Sequence, residues 1–120
     1  MATLHVKQHD RATITTSGSS QIFRNPGGRR HLLIVDVATA PTGTTPVVVF
    51  EIDTSTDGVT FTRKGAALAN ISAIGTQTTR YGVGTTQGQI VEPYLKIVWT
   101  VTGTTPSFTN LTSTFSAVDC

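Results

Sequence analysis

The chain has little of several features on which other classes of protein depend. Its 120 residues include a single cysteine, Cys120 at the last position, so no internal disulfide can form. Charged residues make up only 13% and aromatic residues only 7%. No stretch approaches the roughly 20 apolar residues of a membrane span, and the polar N-terminus lacks the apolar core of a signal peptide. We therefore expect a single domain with no membrane segment, made in a cytoplasm.

Threonine is the residue present in excess, with 24 copies beside 11 glycines. Its β-branched side chain favours the pleated surface of a strand. Val47–Asp53 and Tyr94–Val101 alternate apolar and polar residues with a period of two, and Thr76–Tyr81 is a further strand candidate. Turn residues recur at intervals of roughly ten residues. The sequence predicts an all-β fold, an antiparallel β-sandwich of about seven to nine short strands, either immunoglobulin-like or a jelly-roll Greek key.

Two segments, 32–46 and 92–106, repeat one design at an offset of sixty residues. Each is an apolar strand followed by a loop that ends in Gly-Thr-Thr-Pro, and a further strand follows each loop. We predict two related hairpins that supply central strands, with these loops at the end of the sandwich. In the strand after the second loop, the spacing from Phe108 to Leu111 breaks the alternation and indicates a bulge or bend.

Basic charge is concentrated near the N-terminus. The first 31 residues have five basic side chains against one acidic, a net +4 that leaves −2 for the remainder. We predict a basic strand or arm over 1–31, part of or appended to the sandwich, a β-sandwich core over 32–120, and one domain overall. The turn Asn25-Pro26-Gly27-Gly28 places a basic cluster on a loop, where an acidic partner would find it. Nucleic acid is not the expected partner, because aromatic residues that could stack on bases are scarce in this segment.

No group of residues predicts catalysis, a cofactor or a metal. His5 and His9 lie on a strand that enters a turn, where their rings need not converge on an ion. Glu51 and Asp53 share a strand face and, with Asp57, offer carboxylates for calcium, but close like charges are more typical of a solvated face that awaits a basic partner. The sequence therefore predicts a protein that is not an enzyme.

About two-thirds of the chain carries a resemblance to a known group. Ser55-Thr56-Asp57-Gly58-Val59-Thr60-Phe61 is a turn with a following aromatic residue. Some thirty residues later come the strand Pro93-Tyr94-Leu95-Lys96-Ile97 and the segment Thr102-Gly103-Thr104-Thr105-Pro106-Ser107-Phe108. This arrangement resembles small β-sandwich structural proteins of tailed bacteriophage virions.

The resemblance implies a decoration or cement protein, made in the host cytoplasm and located on the capsid surface. Its partner would be the major capsid protein, with self-association as a trimer favoured over a dimer. We expect the capsid-facing residues to be the basic cluster of Arg24, Arg29, Arg30 and His31. Two alternatives stay open: a neck or tail component of the virion, and a carbohydrate-binding module. The latter needs exposed aromatic side chains, for which Tyr81 and Tyr94 are the candidates.

Overall fold

The computed structural model describes residues 3–25, 30–65, 67–82, 84–85 and 87–118. Regular structure in these residues is entirely β, which confirms the predicted class. The strands are β1 (Thr3–Ile14), β2 (Gly18–Ser19), β3 (Phe23–Arg24), β4 (Arg30–Val37), β5 (Thr42–Ser55), β6 (Thr62–Arg63), β7 (Gly75–Gly82) and β8 (Tyr94–Val118). Not all are short, since β5 has 14 residues and β8 has 25. Within the described ranges, no helix is long and apolar enough to cross a membrane.

Strand β8 is the centre of the sheet, and every pairing is antiparallel. The order is β6-β5-β8-β4-β7, and β1, β2 and β3 also pair with β8. The C-terminal half of β8 lies between β1 and β4, with β7 beyond β4; we call this the first layer. Its N-terminal half lies between β5 and the short strands β2 and β3, with β6 beyond β5; we call this the second layer. Segment 3–24 therefore contributes strands to both layers.

Alternation of side chains fills the space between the layers. In β4 the burial pattern is strictly alternating, with Leu33, Val35 and Val37 fully buried. Phe50 and Ile52 of β5, and Phe108 and other apolar residues of β8, complete the same cluster. Complete burial of each such side chain contributes about 1.5–3 kcal/mol. One apolar core thus joins the two layers.

The two Gly-Thr-Thr-Pro segments are not hairpin loops, so that prediction is wrong. Both lie inside long strands, and they pair with each other: Thr44 is the partner of Thr104. Gly43 and Gly103 occupy equivalent places with φ of +108° and +115°, and Thr45 and Thr105 share a left-handed φ of 48° and 47°. The sixty-residue repeat is therefore a local two-fold relation between β5 and β8. The two repeated segments do supply central strands of both layers.

The bulge expected between Phe108 and Leu111 is confirmed. Asn110 has a φ of 56°, and its carbonyl accepts a hydrogen bond from the N–H of Ala38 at 3.2 Å. Phe108, Leu111 and Phe115 are all buried despite their uneven spacing, because the extra residue shifts the phase of the strand.

Candidate functional site: the outer face of the first layer

The side of the first layer that points away from the core is hydroxyl-rich, and we call it the outer face throughout. In β4, Arg30, Leu32, Ile34 and Asp36 point away from the core, opposite to the buried set. The register places Leu32 between Arg80 of β7 and Ser116 of β8. Neighbouring positions on the same face are His5, Lys7, Thr76, Thr78, Thr112 and Thr114.

Positive charge dominates this face. Arg30 and Arg80 are exposed, and no carboxylate in the described part of the chain lies within ion-pair distance of either. Lys7 has only a long, exposed contact with Asp10 at 3.9 Å. Asp36 is the acidic residue among these β4 positions, and its Oδ1 accepts a hydrogen bond from the Thr76 hydroxyl at 2.7 Å. The guanidinium groups of Arg30 and Arg80 are thus available to an external anion.

A cleft of about 430 Å³ lies at the end of the outer face, where Arg30, Leu32, Arg80 and Ser116 meet the turn after β7. The turn is closed by Thr85, whose hydroxyl donates to the Gly82 carbonyl at 2.8 Å. The cleft combines a half-buried aliphatic side chain, two arginines and hydroxyl groups. Arginine forks bind carboxylates in a bidentate geometry, so this composition fits an acidic side chain of a partner protein.

The second layer differs because acidic residues neighbour basic ones in its strand register. Asp53 is the cross-strand partner of Lys96 on one side and of Arg63 on the other. The neighbouring Glu51 has a pKa raised to about 7, chiefly by a hydrogen bond with Asp53, and further by burial and the charge of Asp53. This face therefore offers less net charge to an anionic partner.

Asp57 does not join Glu51 and Asp53 in a carboxylate site. Its Oδ1 accepts hydrogen bonds from the backbone N–H groups of Val59 and Thr60 at 2.9 and 3.0 Å, and from the Ser55 hydroxyl at 2.8 Å. These bonds lower its pKa to about 2. Asp57 is thus part of the turn that the sequence predicted. Among the described residues, no three His, Cys, Asp or Glu side chains gather as metal ligands.

His31, predicted to contact the partner, is instead a buried residue with 2% exposure. Its ring stacks on Phe115 with centroids 5.7 Å apart, and its Nε2 is 3.1 Å from Asn25 Oδ1. The Asn25 amide nitrogen donates to the carbonyls of Ile90 and Glu92 at 3.2 and 2.9 Å, which fixes the oxygen toward His31. Nε2 must therefore carry the proton, and burial lowers the pKa of His31. Its role is to hold this end of the fold together.

The other predicted residues are separated. Arg30 is on the outer face of the first layer, whereas Arg24 is on β3 in the second layer. Arg24 donates a hydrogen bond to the Tyr94 hydroxyl at 3.3 Å and lies 5.3 Å from the ring centroid. Arg29 is outside the described residues. The structure therefore brings no more than one described member of the predicted cluster to the outer face.

Sequence reasoning missed Arg80, Lys7 and His5 as neighbours of Arg30. A signal for them existed in the period of two, which places Arg80 with Thr76 and Thr78, and His5 with Lys7. What the sequence lacked was the pairing that puts these strands side by side. Of the two aromatic residues considered for a glycan platform, Tyr81 is 1% exposed, so it cannot serve as one.

Comparisons with known proteins give a likeness of fold. No protein-family model and no curated protein sequence matches the chain. Among solved structures it is similar to the SPBc2 prophage-derived protein YomS, with a TM-score of 0.51 and 10% identity over 96% of this chain and 91% of that one. Two other structures are less similar. A CBM4 structure has a TM-score of 0.44 and 16% identity, over 96% of this chain and 66% of that one. A protein of the Bacillus endospore appendages, which form disulfide-linked pili, has a TM-score of 0.45 and 14% identity, over 99% of this chain and 90% of that one. At these levels the first shows a shared fold and the other two add nothing to it.

Proposed function

We propose that the chain is a non-enzymatic structural protein of a phage virion, a capsid decoration protein that binds the major capsid protein through its outer face. The observation that carries the proposal is the uncompensated positive charge of Arg30 and Arg80 on a hydroxyl-rich face. Protein surfaces of this kind pair with carboxylates at interfaces. The fold shared with a prophage-derived protein, and the phage-like segments at 55–61 and 93–108, support the virion role.

The composition of the outer face supports docking in a second way. Leu32 and Ile34 lie half-buried at its centre, and threonine and serine hydroxyls with basic side chains surround them. Interfaces commonly have an apolar centre with a polar rim and with arginine enriched. Such a surface can exclude water over the aliphatic centre while its rim forms charge-assisted hydrogen bonds.

The mechanism of stabilisation is mass action. A protein that binds the assembled lattice but not free capsid subunits shifts the equilibrium toward the lattice. Electrostatic complementarity mainly raises the association rate, and its effect falls with ionic strength. We therefore expect attachment to weaken as salt concentration rises.

A particle-pelleting assay with matched charge reversals tests the proposal. Particles from the source that lack this chain are mixed with the protein, with Arg30→Glu, or with Arg24→Glu, which reverses a charge in the other layer. We expect Arg30→Glu to lower the bound fraction on the order of ten-fold and Arg24→Glu to change it little. Equal binding of all three proteins would remove the outer face from the proposal.

The copy number of the chain in purified particles distinguishes a capsid protein from a neck or tail component. Quantitative mass spectrometry is the measurement. Hundreds of copies would support decoration of the capsid lattice, and a dozen or fewer would move the protein to the neck or tail. Absence from particles would overturn the virion role.

A further inference from the structure

Strand β7 is an edge strand, because it ends the order β6-β5-β8-β4-β7. Gly82 shows which of its backbone groups face outward. The Gly82 N–H donates to the Gly88 carbonyl at 2.8 Å, and its own carbonyl accepts from the N–H of Thr85 at 3.2 Å, so neither group is used by β4. Backbone groups of an antiparallel pair alternate in direction. The N–H and C=O groups of Thr76, Thr78 and Arg80 therefore also point away from β4.

Strand β7 has few of the features, such as bulges, prolines and several charged residues, that normally prevent another strand from pairing with an edge. β7 pairs with β4 over eight consecutive positions with no shift in register, and it contains no proline and a single charge, Arg80. The opposite edge of the same layer, β1, has three register shifts and a left-handed Arg11 with a φ of 49°. Bulges and charges blunt an edge, while a regular neutral strand is a template for pairing. The β7 edge is thus open at Thr76, Thr78 and Arg80, whereas the β1 edge is protected.

We propose that two copies of the chain pair through β7 in antiparallel orientation, about a two-fold axis at Thr78. Thr78 then lies opposite the partner's Thr78, and Arg80 lies opposite the partner's Thr76. The outward groups of the three residues form about six main-chain hydrogen bonds between the copies. The interface is isologous, so it closes at a dimer.

Charge complementarity selects this register. The Thr76 hydroxyl donates to Asp36 at 2.7 Å, so Asp36 lies immediately beside Thr76 on the outer face. With Arg80 opposite the partner's Thr76, its guanidinium lies within reach of the partner's Asp36, and symmetry gives two such pairs. A register centred on Arg80 would place two arginines directly opposite each other, which is destabilising. A register centred on Thr76 would leave Arg80 beyond the end of the paired strand.

The inference does not require the virion role, although it pairs Arg80 of the outer face with the partner's Asp36. A two-fold axis perpendicular to the sheet joins the two outer faces into one continuous surface. Each copy keeps its own Arg30 and Lys7 on that surface. A dimer would therefore present two docking faces to a repeating partner, which increases avidity.

Cysteine cross-linking tests the register. In a Cys120→Ser background, Thr78→Cys places two thiols on strands whose Cα atoms are about 5.5 Å apart, which permits a disulfide. Thr76→Cys is the matched control on the same exposed strand, where the two equivalent Cα atoms are about 14 Å apart. Under mild oxidation we expect covalent dimer from Thr78→Cys, with a yield on the order of ten-fold above that from Thr76→Cys. Equal yields from the two variants would overturn the register.

Solution mass tests the dimer itself. Sedimentation equilibrium over a concentration series is expected to show a species of twice the 12.7 kDa chain mass. A mass of one chain at all concentrations, or of three, would overturn the proposal.

A charge swap separates the interface from folding. Arg80→Asp and Asp36→Arg, each alone, convert both attractions into repulsions and should weaken the dimer on the order of ten-fold. The double variant exchanges the charges and should return the dimer to within about three-fold of the parent. Additive weakening in the double variant would contradict the Arg80–Asp36 pairing.

Discussion

Alanine at Gly43 or Gly103 is expected to destabilise the fold far more than alanine at Gly84. A Cβ atom on Gly43 would lie 2.5 Å from the Thr105 carbonyl oxygen, and one on Gly103 would lie 2.6 Å from the Thr45 carbonyl oxygen. Both glycines also have positive φ, of +108° and +115°. The backbone strain costs about 1–3 kcal/mol. Overpacking against rigid backbone adds about 1–3 kcal/mol.

The sum, about 2–6 kcal/mol, is a large part of the roughly 5–15 kcal/mol that stabilises a typical domain. Gly84 is the control, because its φ is +85° but nothing lies within 4 Å of the added atom. There we expect only the strain, about 1–2 kcal/mol. The free energy of unfolding is measured by urea titration. Because Gly43 and Gly103 have equivalent surroundings, the losses in unfolding free energy of their alanine variants should agree within about 1 kcal/mol. If Gly43→Ala or Gly103→Ala lost no more unfolding free energy than Gly84→Ala, the close approach of the two backbones would be refuted.

Three further predictions concern Asn25, Glu51 and His9. Asn25→Ala removes donors to two backbone carbonyls and the acceptor for His31, so the free energy of unfolding should fall by about 1–3 kcal/mol in urea titration; no change would contradict its bridging role. Glu51 has a folded pKa of about 7, raised from 4.5 first by the hydrogen bond with Asp53, so its contribution to stability is present below pH 4.5 and is lost as pH rises through 7. Glu51→Gln should remove that loss in thermal melts across this range, and an unaltered pH profile would contradict it. Burial lowers the pKa of His9 from 6.5, so stability is present above pH 6.5 and is lost as pH falls through the folded pKa; His9→Phe should reduce this acid loss, measured by the same melts, and an equal loss would refute it.

The local periodicity of the sequence was sufficient to find parts of the longer strands β5, β7 and β8. Val47–Asp53 lies within β5, Thr76–Tyr81 lies within β7, and Tyr94–Val101 lies within β8. Alternation is a property of neighbouring residues, so it can be read without knowing which strands pair. The same alternation also indicates that His31 is buried, because it lies on the opposite face of β4 from Arg30. Grouping these two residues by adjacency alone led to the wrong expectation for His31.

The pairing of distant segments could not be read in this way. Gly-Thr-Thr-Pro has the composition of a turn, and the turn interpretation is the reasonable local one. In the structure each Gly-Thr-Thr-Pro segment pairs with the other one, sixty residues away in the same chain. The glycines are needed because the two backbones approach closely. The outer face is equally non-local, because Lys7, Arg30 and Arg80 come from three strands that meet only in the first layer.

The relation between the repeat and the outer face depends on one residue. At first the two repeated segments bury equivalent positions, sixty residues apart: Val35 and Leu95 are both buried, and so are Val48 and Phe108. At Asn110 the left-handed backbone adds a residue to β8, and from there the buried positions are Leu111, Ser113 and Phe115. Without that shift, the strict alternation from Phe108 would turn Thr112, Thr114 and Ser116 toward the core and expose the aromatic and aliphatic set. The bulge therefore gives the first layer its hydroxyl-rich outer surface, and it breaks the symmetry of the repeat so that the two layers present different chemistry.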